Sequence, residues 1–240
     1  KELIESFKDG FRHYKKSAFA RDLSVVFMSF WLVCTIVDFC YAGTLRKTYA
    51  TSEQMASFYG AYTGAVNFTA LFVQLFLGAK ILKKVGVANG FMFLPASQIA
   101  GFVLLIFTPG LPPIVAMMFM QTLIGMSVQA NSVSMSFNVF AADVRGKIRT
   151  LLEGVINPLG GVIGSLTIMA IAKFDSRETL QILPYAGTVF AGVWLFFTFR
   201  IRRSYLREIQ ITAQSENPQD RKDAAEAAEI ERNAYFAPKC

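Results

Sequence analysis

Several polar side chains lie inside apolar stretches of this chain, where they can carry function, and two of them are the acids Glu153 and Asp38. The stretch EGVINPLGG, residues 153–161, places Glu153 and Asn157 four residues apart, on one face of a helix. A polar group in hydrocarbon costs free energy unless it has a partner or contacts water. Pro158 has no N–H for the carbonyl of Gly154, so the sequence predicts a bent or locally unwound helix entrance.

Glu153 has two interpretations. In the first it is a structural acid, stabilised by the positive end of the helix dipole and by nearby bases, which are Arg145, Lys147 and Arg149. In the second, Glu153 and Asn157 form an inner gate that packs near Gln129 and Asn131 of the preceding span.

Asp38 is the other acid within an apolar stretch, and it lies near the far end of its helix. One hypothesis gives it a role in an outer gate or in proton binding. The alternative is an ordinary interfacial acid that pairs with Arg46 or Lys47.

Amide side chains form two further polar stripes. One stripe runs through Asn67 and Gln74, and the other runs through Gln121 and Gln129, with Asn131 beside it. Residues at these spacings share a helical face. The stripes either line an aqueous cavity or bond neighbouring helices together, and such bonds contribute about 1 kcal/mol or less each.

The sequence contains no pattern of catalytic residues. Its single histidine, His13, lies in a basic segment, and there is no nucleophile elbow, phosphate-binding glycine loop or metal-ligand spacing. Cys34, Cys40 and Cys240 give neither a disulfide framework nor a metal site. We therefore expect a protein that is not an enzyme and that holds no cofactor and no metal.

Composition and hydropathy indicate a membrane protein. Charged residues make up only 17% of the 240 residues, 23 residues are Phe, and the mean hydropathy is positive. A helix of about 20 apolar residues crosses a bilayer. Six stretches have that length, at about 22–42, 58–79, 88–107, 113–136, 151–172 and 180–200. The expected fold class is all-α, with six transmembrane helices.

Basic residues predict the orientation of these spans. Of the 24 Lys and Arg residues, 20 fall on one side of the six-span arrangement, and Arg46, Lys47, Lys173 and Arg177 fall on the other. Because basic loops favour the cytoplasm, both termini and the loops with Lys83, Lys84 and 145–149 are predicted to be cytoplasmic. The net charge of +7 then faces the lipid bilayer, and we expect no nucleic-acid partner.

The chain divides into three parts. Residues 1–21 form a basic amphipathic segment, which is either a helix along the headgroups or a linker from an upstream segment, since the chain begins without Met. Residues 22–207 form the transmembrane domain, and 208–240 form a soluble polar tail. Asn217-Pro218 is a typical helix start, so the tail is predicted to contain a short helix over 219–233.

Three stretches resemble a known family. They are QMASFYGAYTGAVNFTALFVQLFLGAKILKKVGV at 54–87, SFNVFAADVRGKIRTLLEGVINPLGG at 136–161, and CTIVDFCYAG at 34–43, which contains Asp38. Together, over about residues 20–200, they resemble the C-terminal six-helix half of the ATP/ADP translocase-like branch of the major facilitator superfamily. The resemblance implies a half-bundle in a bacterial inner membrane, or less readily in a plastid envelope, with a second half upstream or in a partner chain.

The resemblance also implies a function, which is the movement of a nucleotide-related solute by alternating access. Nucleotide exchangers of this family hold phosphates with positive side chains inside the membrane, whereas the predicted spans here contain no Lys or Arg apart from Arg200, the last residue of the sixth. The alternative is therefore a non-transporting scaffold or anchor subunit of a larger membrane complex. A membrane sensor whose tail leads to a regulatory domain is a third hypothesis.

Overall fold

The computed structural model describes residues 10–174 and 178–236, and these residues contain helices but no strand. We number the helices in chain order. They are α1 (Ala18–Thr48), α2 (Ser52–Val73), α3 (Ala79–Val85), α4 (Val87–Phe107), α5 (Leu111–Ile124), α6 (Ala130–Ser136), α7 (Ala142–Leu151), α8 (Asn157–Phe174), α9 (Thr179–Ala213) and α10 (Pro218–Phe236).

Three of the junctions between these helices are single wide turns of π-helix. We call them π1 (Gln74–Gly78), π2 (Gly125–Gln129) and π3 (Leu152–Ile156). Because a π turn keeps the chain helical, α2 runs on through π1 into α3, α5 through π2 into α6, and α7 through π3 into α8. A 3₁₀ turn, Phe137–Val139, follows α6.

Five helical stretches of the described residues are long and apolar enough to cross a membrane. They are Ala18–Thr48, Val87–Phe107, Leu111–Val139, Ala142–Lys173 and Thr179–Ala213. These stretches contain five of the six predicted spans. The predicted second span is helical too, through α2 and π1, but it is not among the five.

Local sequence signals set the helix ends. The hydroxyls of Ser17 and Thr51 accept hydrogen bonds from the first turns of α1 and α2, at 3.1 and 3.2 Å. Gly86, with a φ of 88°, separates α3 from α4, since this left-handed backbone favours glycine. Prolines at 112 and 113 start α5, where their missing N–H groups need no partner.

Helix α1 is the central helix of the bundle. It packs against α9, α8 and α5, and its residues Val33, Ile36 and Val37 are fully buried. Helix α9 packs against α4 on its other side, where the ring of Phe102 lies over Gly187. Helices α2 and α8 therefore lie at the edges, each with one broadly exposed face.

The first described residues and the tail helix lie at the same end of the bundle. Residues 10–16 are helical, and the backbone of Gly10 lies against that of Lys147. The rest of the predicted amphipathic segment, residues 1–9, lies outside the described residues, as do Arg177 and Cys240. The predicted tail helix is confirmed as α10, with the side chain of Asn217 accepting a hydrogen bond from the Gln219 N–H at 2.9 Å.

Candidate functional site

One stripe of α1 is open to the outside of the bundle, and its exposed residues include Trp31 and Asp38. Helix α8 borders this stripe on one side. On the other side Tyr41 contacts Tyr59 and Tyr62 of α2 at ring distances of 6.2 and 5.9 Å. We call the surface formed by this stripe and the exposed faces of α2 and α8 the open face.

Asp38 has no ion-pair partner within the described chain. The predicted alternative, a pair with Arg46 or Lys47, is not formed, although all three residues are described. Asp38 is therefore an exposed carboxylic acid on a helix that is apolar enough to span a membrane. Acids inside membrane spans almost always face protein or a water-filled cavity, so this stripe does not suit a lipid contact.

Helix α8 approaches α1 backbone to backbone. A Cβ atom added at Gly160 would overlap the carbonyl of Met28, and one at Gly164 would lie 3.0 Å from the carbonyl oxygen of Leu32. Small residues at this spacing permit such close contact between membrane helices. The EGVINPLGG stretch therefore packs on the first span.

The predicted loosening of the helix before Pro158 is confirmed. Turn π3 covers Leu152–Ile156, directly ahead of the proline, and it widens the helix where Pro158 cannot bond the carbonyl of Gly154. The amide oxygen of Asn157 is buried and has no hydrogen-bond partner within the described chain. This helix entrance thus carries a polar group in need of water or a solute.

Glu153 pairs with Arg149, one of the three bases expected, which lies one turn earlier on the same continuous helix. The Nε of Arg149 lies 3.0 and 3.1 Å from the two carboxylate oxygens of Glu153. Arg145 does not join this pair, because it donates to Asp223 of the tail helix at 2.6 Å. Lys147 lies instead beside Gly10.

The inner gate was expected to pack near Gln129 and Asn131, and the structure differs. Turn π3 and α8 pack on α1, whereas Asn131 lies against Gly78 of π1, 2.9 Å from a Cβ placed there. The reason is the pair of glycines in α8, which fit the backbone of the first helix better than the side chains of the fourth span. Asn131 also donates to the Ser127 carbonyl at 2.6 Å.

The two amide stripes differ in exposure. Asn67 and Gln74 on the second helix are exposed, Gln121 is half-buried, and Gln129 is buried. The stripe of the fourth span turns inward after Gln121, because Ser132 packs directly on Gly90 of α4. Even so, the side-chain oxygens of Gln121 and Gln129 have no hydrogen-bond partner in the described chain.

Turns π1 and π2 contact each other at the crossing of the second and fourth helices. Gln74 begins π1 and Gln129 ends π2, so each wide turn carries one of the candidate amides. Single π turns inside α-helices occur frequently at functional sites. The sequence offered no warning of these two turns, since neither is followed by a proline at the spacing seen in EGVINPLGG.

The tail helix α10 supplies functional contacts that sequence reasoning missed. The carboxylate of Asp220 accepts a hydrogen bond from the Ala142 N–H at 3.0 Å, at the start of α7. The carboxylate of Glu231 accepts one from the Ala88 N–H, also at 3.0 Å, at the start of α4. The exposed fractions of these two acids are only 3% and 2%. The tail therefore caps two helices of the bundle and is not a free soluble segment.

The electrostatics of Glu231 follow from this burial. Burial raises the pKa of Glu231 above its ordinary value of 4.5, while the backbone N–H groups of Ala88 and Val87 and the charge of Arg202 act in the opposite direction.

The spacing of Asp220 and Glu231, eleven residues or three helical turns, was the signal in the sequence that placed both acids on one face of α10.

The basic end of the bundle, where α1 and α4 begin and α9 ends, holds the remaining loop residues. Lys83 and Lys84 are exposed there. Among residues 10–174 and 178–236, no group of three or more His, Cys, Asp or Glu side chains could hold a metal ion.

These features define a multi-pass membrane protein with helices and no strand in its described residues, with an unpaired acid on the open face and unpartnered amides beside the wide turns. The chain belongs to the TLC ATP/ADP transporter family, whose family model matches residues 3–148. The match includes α1 to α6 and most of α7, and so takes in Asp38 and both amide stripes. The family consists of transporters, in agreement with the expectation of a protein that is not an enzyme.

Neither the curated proteins nor the solved structures contain a match to this chain. The match to the family model confirms the resemblance to ATP/ADP translocases at the level of the family. The assignment to one half of a major-facilitator bundle stays a prediction.

Proposed function

We propose that the chain is a six-span half of a carrier that moves a nucleotide-related solute across a bacterial inner membrane by alternating access. Both termini lie in the cytoplasm, and the open face receives a second six-helix half, either from the same gene product or from a partner chain. The solute passes between the two halves, along α1, α2 and α8.

The observation that carries this proposal is the environment of Asp38. Its carboxyl group is exposed, has no ion-pair partner in the described chain, and lies within a span candidate. A charged group facing lipid at this depth is costly, whereas a group facing an aqueous pathway is common in transporters. Asn67 and Gln74 are also exposed, on α2, which contacts α1 through Tyr59 and Tyr62.

Unsatisfied amides support an aqueous pathway as well. The oxygens of Gln121, Gln129 and Asn157 are buried without a partner in the described chain. Each such oxygen costs about 1–3 kcal/mol unless water or a solute donates to it. A transported solute with hydroxyl and amino groups, such as a nucleoside moiety, has donors of this kind.

The basic end favours a phosphate-bearing solute. A cavity of about 520 Å³ opens there, and its lining includes Lys16, Arg21 and Arg207 together with the acids Asp143 and Glu208. Cations at the mouth of a pathway raise the local concentration of anionic solutes. Such a mouth suits a nucleotide that approaches from the cytoplasm.

The test is uptake of labelled ATP, ADP and a nucleoside into vesicles that contain the full-length protein. We expect exchange of a nucleotide, and we expect Asp38→Asn to abolish it without a loss of folded yield. Glu229→Gln is the matched control, because Glu229 is an exposed acid on the tail helix, outside the open face. Transport by Asp38→Asn at the wild-type rate would overturn the assignment of the open face.

One observation favours the second candidate, a non-transporting scaffold. The tail helix ties the basic end together through Asp220, Asp223 and Glu231, and such ties suit a rigid anchor. No exchange of any of the three solutes by a protein that is folded and complete would favour this scaffold over the carrier.

A further inference from the structure

A groove of about 680 Å³ lies between α4 and α9 at the basic end, away from the open face. Its membrane side is apolar and is lined by Met92, Phe196 and Phe199, while Leu206 lies beyond Arg203 on α9. Phe196 and Phe199 have exposed fractions of 64% and 56%. Large apolar side chains exposed at this position on a membrane helix suit contact with acyl chains.

The other side of the groove is strongly basic. Arg200, Arg202 and Arg203 line it, and no acidic side chain does. The step from Phe196 to Arg203 is seven residues, or about 10 Å along the helix axis. This distance matches the passage from the start of the acyl chains to the phosphate of a phospholipid.

Two of the three arginines interact with acids that lie outside the groove lining. The Nε of Arg200 lies 3.1 Å from a carboxylate oxygen of Asp22, whose side chain is 6% exposed, while the side chain of Arg200 is 60% exposed. Arg202 interacts electrostatically with the buried carboxylate of Glu231. Both guanidinium groups are thus held in place by acids that do not reach the groove.

Arg203 is exposed and has no ion-pair partner in the described part of the chain. Its charge is therefore available to a ligand. The basic cavity beside α1 differs, because Asp143 and Glu208 line it and lower its net charge. The groove between α4 and α9 thus combines the unpaired Arg203, and no acid in its lining, with exposed apolar side chains.

We propose that this groove is a binding site for one anionic phospholipid, with the phosphate at Arg200, Arg202 and Arg203 and an acyl chain along Phe196 and Phe199. Basic pockets between membrane helices at the basic side of a protein bind anionic headgroups in this way. The occupant is a lipid, because a soluble phosphate would leave the aromatic side of the groove uncovered. The site does not depend on whether the chain transports a solute.

The experiment uses the full chain, purified in detergent and titrated with phosphatidylglycerol or with phosphatidylcholine. Native mass spectrometry counts the lipids retained. We expect one phosphatidylglycerol to bind at concentrations where phosphatidylcholine does not. We expect Arg203→Gln to weaken it about fivefold, since one basic side chain near an anionic headgroup contributes about that factor.

The matched control is Arg46→Gln, which removes the same charge from an exposed residue 24 positions, or about 36 Å, further along α1 than Asp22. Unchanged binding in this variant supports the site. Equal retention of the two lipids, or equal losses in the two variants, would overturn the proposal. Displacement of the lipid by millimolar inorganic phosphate would also overturn it, because the groove would then be a site for soluble anions.

Discussion

The caps that the tail helix provides can be tested through Glu231→Ala. This change removes the acceptor for the Ala88 N–H and leaves that group buried at the start of α4. A lost cap of this kind costs about 1–3 kcal/mol. Taking about 2 kcal/mol, the population in which α10 is undocked from the bundle should rise about 30-fold, at about tenfold for each 1.4 kcal/mol.

The assay is hydrogen exchange of peptides from α10 and from the first turn of α4, measured by mass spectrometry. Both should exchange faster in Glu231→Ala, and Glu231→Gln should have a smaller effect because its amide oxygen still accepts the hydrogen bond. Glu229→Ala is the matched control, since Glu229 is an exposed acid on the same helix. Equal exchange in Glu231→Ala and Glu229→Ala would refute the argument that Glu231 holds the tail.

Three further predictions concern packing, charge and pH. Gly160→Ala should lower the folded yield several-fold, because its methyl group overlaps the Met28 carbonyl. Gly192→Ala is the control and should not lower it, since a Cβ at Gly192 meets open space. Gel filtration compares the folded yields of the two variants. Asp223→Ala should remove the ion-pair partner of Arg145 and speed amide hydrogen exchange in the 3₁₀ turn Phe137–Val139. Unchanged exchange there would contradict a stabilising role for the pair at 2.6 Å. Because burial raises the pKa of Glu231, the docked tail binds a proton more tightly than the free tail. Lowering the pH from above that raised pKa toward 4.5 should therefore favour docking of α10 on the bundle. Distances between spin labels on α10 and α3 measure the docking, and Glu231→Gln should reduce its dependence on pH.

Hydropathy was sufficient to predict the five helical stretches that are long and apolar enough to cross a membrane, while the orientation inferred from the bases stays a prediction. The apolar stretches at 22–42 and 180–200 lie within α1 and α9, and the Asn217-Pro218 start of the tail helix was correct. The predicted second span is helical as well, through α2 and π1. The wide turn before Pro158 could be predicted because a proline leaves a defined carbonyl without a donor.

The contacts of the tail could not be predicted in the same way. Asp220 and Glu231 bond to backbone N–H groups, and a backbone donor leaves no mark in the sequence at Ala142 or Ala88. Turns π1 and π2 also leave no mark in the sequence. Each adds one residue to a helical turn, so the residues after it face a different direction from the one that regular α-helical spacing predicts. Offsets counted through Gln129 therefore did not show that this amide turns into the bundle while Gln74 stays exposed.

The glycine contact between α1 and α8 has a mechanical consequence. With no side chain between the Gly160 backbone and that of Met28, the two helices have no soft layer that could absorb relative movement. If α8 tilts about its wide turn, α1 should therefore move with it as a rigid unit, and Asp38 should move with α1. The pair would transmit a displacement at the basic end to the far end of the first helix almost undiminished.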